Sequence, residues 1–406
     1  MRSLMVVLLC CFAATPGLGA MPAGVRVNGV TLAPLRAVAE WLGVKLKWEQ
    51  STGAISLTKG KTVVLLTPGS AMAVVNDKAM TLACPVQKRG GQTYAPIRLA
   101  EVLGAKVAWD AKGRAVVITP ASGKPLTLPV WDEKILFCSD LGDRRGSVAI
   151  CGMDPDGGSL RALTDGASEP ITISPDGSAV AFIGRRDEHC GIYTMRPDGA
   201  GVRLLLDSAT AGFPCFSADG KYLYYLTDKG LGRIDANGQH QQGTPWFKLT
   251  KETWKAEHGE GPAGLAAARD GRLLVTLRFL RGDWYWTKLY RVDYAKRVMT
   301  PYLNRERTGI FSLTASPEGL LLAFQRFTAG SGSQEARLNL CVASPTGAEE
   351  RAVTGDGDEP AFSPDGTRLV FTRKMDLYVV NLDGTGLRRL TETHAWESAP
   401  RWALVR

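Results

Sequence analysis

Histidine is scarce. Only His189, His240, His258 and His394 occur in 406 residues. They form no His-x-His and no His-Glu-x-x-His, so the imidazole cluster that catalytic zinc or copper requires is lacking. None of the eight cysteines lies in a Cys-x-x-Cys pair, which leaves a thiolate zinc site unsupported. No Gly-x-Ser-x-Gly pentapeptide marks a nucleophile elbow, and Gly330-Ser331-Gly332-Ser333 reads as a polar hairpin tip. Lys and Arg outnumber Asp and Glu by 49 to 40, yet no five basic residues run together. A nucleic-acid surface is therefore not expected. No segment approaches the ~18 apolar residues of a membrane span, so the mature chain should hold no integral membrane segment.

Glycine and proline, by contrast, are abundant at 45 and 22 residues, without a collagen-like period. This signals many tight turns and hence many strands. The chain opens with Met1-Arg2-Ser3 and an apolar stretch from Leu4 to Ala14, the head and core of a secretory signal. Cleavage near Leu18-Gly19-Ala20 gives a signal peptide over 1–20 and an exported, periplasmic, envelope-associated or secreted protein. Six cysteines remain: Cys84, Cys138, Cys151, Cys190, Cys215 and Cys341. Export permits disulfides, and Cys138 faces Cys151 if 134–139 and 147–153 form a hairpin. Buried free thiols are the other reading.

Two internal repeats organise the chain. Ala33-Pro34-Leu35-Arg36 through Gly43 and Trp48 returns as Ala95-Pro96-Ile97-Arg98 through Gly104 and Trp109. Proline in the first turn and glycine past the last define two short helices. Alternating apolar and polar residues after each glycine predict half-buried strands. Residues 24–119 thus form one α+β unit built twice. The segment resembles the copper amine oxidase N-terminal-like domain. Copper chemistry does not follow, because no histidine and no Asn-Tyr-Asp/Glu triplet lies there; the resemblance implies a non-catalytic envelope-binding module. Arg36 and Arg98 either meet anionic cell-wall polymer or pair with nearby carboxylates. Pro120, Pro125 and Pro129 mark 120–133 as a linker.

The second repeat is a turn tetrapeptide. Ser174-Pro175-Asp176-Gly177 recurs in altered form at 217, 268 and 316 and unaltered at 363, spaced by 43, 51, 48 and 47 residues. An apolar strand follows each copy, a second turn follows that strand, and one period holds four strands, the signature of a blade. The C-terminal residues Ala399-Pro400-Arg401-Trp402 match the front of a blade and then stop, while 134–164 supply three further strands. Joining both chain ends closes a sixth blade and leaves no open sheet edge. Residues 134–406 resemble the TolB-type propeller with its Ser-Pro-Asp-Gly repeat. That resemblance implies an exported, protein- or peptide-binding six-bladed β-propeller; related propellers gate peptidases or carry lyase sites.

Candidate ligand contacts are few. Glu169 and Glu359 each precede a proline at the start of an innermost strand, and Glu397 lies three residues before Pro400. If the three carboxylates converge at the channel mouth, they attract a cationic peptide. Trp246 and Trp254, in the longest insertion, and Trp284 and Trp286, on one face of a strand, form a candidate aromatic contact surface. No cofactor or metal motif is found. The sequence therefore reads as a non-catalytic two-module binding protein. A polysaccharide lyase or hydrolase acting from the channel is the alternative.

Overall fold

The computed structural model describes residues 23–89, 92–111, 114–140, 148–227, 230–238, 247–248, 259–267, 271, 273–281, 284–293, 296, 298–302, 308–317, 319–328, 337–345 and 349–405. The expected leader, 1–20, lies outside them. The described residues are nearly all strand, with two short helices at Leu35–Trp41 and Leu99–Val102. Both helices fall in the repeated segments, and the glycine two residues past each, Gly43 or Gly104, takes a positive φ. The strands that follow, Lys45–Trp48 and Lys106–Asp110, pair antiparallel with Ile55–Lys59 and Ala115–Thr119. Leu35, Val38 and Leu57 of the first copy share one buried cluster with Leu99, Leu103 and Ile118 of the second. The two copies therefore build a single core, since neither short helix could bury its apolar side alone.

Residues 120–133 are not the linker expected of them. Leu126–Ser139 is one strand of 14 residues. Its first half pairs with Ala115–Thr119 and, in parallel, with Gly24–Val27. Its second half pairs with Val148–Met153 and with the last strand, Glu397–Val405. Leu126, Leu128 and Val130 alternate into the N-terminal core, while Ile135 and Phe137 enter the next. Burial of that apolar series outweighs the prolines, two of which precede the strand. At the junction the buried Glu133 lies 2.9 Å from Arg89 and 3.5 Å from Arg368. Arg89 is also 4.0 Å from Asp365.

Beyond the junction the strands form antiparallel sheets. The last strand, the bridging strand Leu126–Ser139, Val148–Met153 and the start of Arg161–Ile173 pair in that order. The rest of Arg161–Ile173 begins a second set with Val180–Arg186, His189–Met195 and Arg203–Asp207. Four further four-stranded sheets begin at Gly212–Phe216, Gly259–Ala267, Thr308–Ala315 and Asp358–Phe362. These first strands touch one another in succession, and the last strand contacts both Asp358–Phe362 and Arg161–Ile173.

The tetrapeptide turns join first to second strands as their chemistry requires. Ser174 Oγ donates to Asp176 at 2.6 Å and accepts from the N–H of Ala179 at 2.9 Å. In the next copy the Ser217 hydroxyl, 2.6 Å from Asp219, pulls that carboxyl below its ordinary range. The serine hydroxyl thereby satisfies a backbone N–H that the turn takes out of the ladder, and the aspartate fixes the hydroxyl.

Of the two readings of Cys138 and Cys151, the disulfide is not formed. The hairpin exists, but Cys138 opposes Ile150 and Cys151 opposes Phe137. A one-residue offset sends the two side chains to opposite faces of the sheet. Both thiols are free, and burial pushes both up from their ordinary pKa.

Candidate binding channel

Each innermost strand is interrupted at the same level. The pairing register slips between Ser168 and Ile171, Gly212 and Cys215, Pro262 and Gly264, Phe311 and Thr314, and Asp358 and Ala361. The last strand slips between Ser398 and Arg401. At these bulges Phe213, Ser312, Glu359 and Ala399 take left-handed φ of +53°, +51°, +49° and +48°. Such backbone costs on the order of 1–3 kcal/mol per residue and tends to gather at binding sites. Pro170, Pro214, Pro360 and Pro400 lie within four of the interruptions. With no N–H to orphan, proline suits a residue that has left the ladder.

The bulges surround a cavity of about 390 Å³. Glu169, Phe213, Leu265, Ser312, Glu359 and Arg401 are among the residues lining it. Glu169 accepts a hydrogen bond from the Ser398 hydroxyl. Glu359 accepts from the N–H of Ala399 at 2.7 Å and from Thr372 Oγ1 at 3.3 Å. Burial, aided by the neighbouring carboxylates of Glu169 and Asp358, pushes Glu359 up to about 7.

Glu397 does not join this pair. It is fully buried, accepts from the Thr391 hydroxyl and from Thr393 Oγ1 at 3.0 Å, and is raised in pKa by burial. The residue equivalent to Glu169 and Glu359, immediately before the proline, is Ala399. Aligning the last strand on Pro400 would have shown this. The same alignment places Arg401 just past the bulge. Sequence reasoning passed over it among many scattered basic residues, yet it is the one cation lining the cavity among the described residues. Its Nη1 donates to the Pro400 carbonyl at 2.8 Å, and desolvation lowers its pKa from the ordinary value.

A second cavity of about 330 Å³ lies toward the tetrapeptide turns. Trp131, Thr172, Cys215, Thr314, Arg401 and Trp402 contribute to its wall. Arg401, Pro214, Leu265 and Leu313 line both spaces, so the two are consecutive along one channel. Trp131 belongs to the bridging strand, which brings the N-terminal half to the channel's lower end.

Trp246 and Trp254 lie outside the described residues. Trp284 and Trp286 stand on Trp284–Asp293, opposite Arg281 and Phe279, with side chains likewise outside the description. Arg98 pairs with Glu101 at 3.3 Å on the exposed helix surface. No helix among the described residues is long and apolar enough to cross a membrane.

Residues 20–118 match the family described as the copper amine oxidase N-terminal domain. Copper's imidazole ligands do not occur in that stretch, so no chemistry is carried over with the match. No curated protein matches the chain. Among solved structures, TolB from Acinetobacter baumannii is similar over 90% of this chain and 85% of its own, at 15% identity and a TM-score of 0.55. A structure titled as a nidogen/laminin complex is similar over 67% of this chain and 98% of that chain, at 12% identity and a TM-score of 0.50. Such identities establish fold alone: the chain carries a TolB-like β-propeller behind its N-terminal domain.

Proposed function

We propose that the chain is an exported, non-catalytic binding protein of the bacterial cell envelope. In this reading residues 134–406 form a six-bladed propeller, closed where the last strand pairs with Leu126–Ser139. The propeller binds a protein or peptide at its axial cavity, and residues 24–119 associate with the envelope. The six sets of four strands and the succession of contacts among their first strands support the blade count. Exposed Trp48 and Trp109, each 4.7 Å beneath the cation of Lys88 or Arg26, support a polymer-contacting module surface.

The observation that carries the binding reading is the convergence of Glu169 and Glu359 in one cavity. In a chain of net charge +9, a low-dielectric concavity focuses this local negative field on a cationic group. Such a partner would also hold Glu359 in the charged form that burial resists. Capture from the parent organism's envelope fraction tests the proposal. A partner retained by the parent protein should be lost on Glu169→Lys with Glu359→Lys, and on the gentler double Gln change, while circular dichroism stays unaltered. Capture undiminished in both folded variants overturns it.

A further inference from the structure

The charged groups of the channel are ordered along its length. Glu169 and Glu359 stand at the bulges, and Arg401 sits where the upper and lower cavities meet. Both carboxylates act on Arg401 electrostatically, yet among the described residues neither forms an ion pair with it. Opposite charges held apart in a poorly solvated space lose hydration without gaining a contact pair. Below Arg401, the indole Nε1 atoms of Trp131 and Trp402 are buried with no hydrogen-bond partner among the described residues. Both residues line the lower cavity, and Trp402 is only 6% exposed. These two nitrogens are shut off from the cavity space, so the channel's charged groups are the carboxylate acceptors of its upper part and the Arg401 guanidinium below them.

We infer that the channel takes a short zwitterion, an unblocked peptide or a free amino acid, with its ammonium group on Glu169 and Glu359 and its carboxylate on Arg401. This rests on the proposed role of the cavity as a binding site. A planar guanidinium matches a carboxylate in two parallel bonds. A dianion such as phosphate fits poorly, because the two glutamates repel it. The upper volume of about 390 Å³ falls near the lower end of small-ligand sites, roughly 300–1,000 Å³, and suits a few residues of chain. Phe213, Leu265 and Leu313 in the wall favour aliphatic side chains.

Titration calorimetry on the full mature protein tests the inference with four probes: trialanine, N-acetyl-trialanine, trialanine amide and alanine. Trialanine or alanine should bind, and blocking either end should weaken trialanine by about tenfold or more. Preference for alanine would assign the site to a free amino acid; preference for trialanine would assign it to a peptide. Arg401→Met should make the amide and the free acid bind alike, which a purely structural arginine would not do. Should that variant fail to fold, the blocked peptides on the unaltered protein still decide. Equal affinity for amide and free acid in the parent protein overturns the inference. So does absence of binding by all four probes when an envelope partner is captured through Glu169 and Glu359, an outcome that leaves the proposed function standing. Loss of both probe binding and capture removes the binding reading itself.

Discussion

A glutamate placed one residue before a proline meets a different fate from one placed three before. The bulge turns Glu169 and Glu359 into the cavity, whereas Glu397 remains in the ladder and is folded under Thr391 and Thr393. The X-Pro pattern made the first two legible in sequence. Glu397 is near Pro400 but out of register with the other two glutamates, and Arg401 is legible only once the last strand is aligned on Pro400, where it replaces the apolar Ile171 and Ala361. Glu359 makes the distinction measurable. The folded protein keeps its proton to about pH 7, while an ordinary glutamate releases it near 4.5. Between those values the folded state binds more protons than the unfolded chain, so this group's contribution to stability falls as pH rises. Glu359→Gln removes the titration and keeps an acceptor for the Ala399 N–H. The melting temperature of the variant minus that of the parent should therefore increase from pH 4.5 to pH 8. A difference that stays flat would mean the carboxyl titrates normally.

At the scale of elements, the tetrapeptide turns were the clearest sequence signal, because serine, aspartate and glycine each do a separate job at fixed spacing. What spacing could not reveal was the surface each turn lands on. A Cβ built at Gly177, φ +66°, would lie 2.0 Å from the carbonyl oxygen of Leu404, in the last strand. At Gly201, φ +70°, nothing lies within 4 Å. Both alanine substitutions incur the left-handed backbone cost of about 1–2 kcal/mol. Gly177→Ala alone must also displace the last strand, and overpacking of that kind costs about 1–3 kcal/mol more. Urea midpoints should rank Gly177→Ala well below Gly201→Ala. Equal midpoints would mean that the turn does not rest on Leu404. The supposed linker teaches the complementary lesson. Its prolines suggest a break, but the alternation of Leu126, Leu128 and Val130 beside them is a strand pattern, and their burial decides the conformation.

For the whole molecule, that misread segment decides how the two halves behave. A flexible linker would let each core melt at its own temperature, as independent domains do. Leu126–Ser139 instead delivers side chains to both cores and is paired along its length with strands of both. Glu133, buried at the crossing point, is raised in pKa by desolvation and opposed chiefly by Arg89 from the N-terminal half. One calorimetric transition is expected for the parent protein, with fluorescence and far-ultraviolet dichroism superimposed. Among the described residues, Arg89→Met leaves Glu133 with only the more distant Arg368, and breaking a buried pair from one side costs about 3–5 kcal/mol. The double variant Arg89→Met, Glu133→Leu removes both charges and should recover much of that loss, because an apolar pair of similar bulk is often neutral or better. Two resolved transitions in the parent protein would restore the linker picture. A double variant no more stable than Arg89→Met would show that the junction is held by shape and strand pairing, and that its charges do not matter to stability.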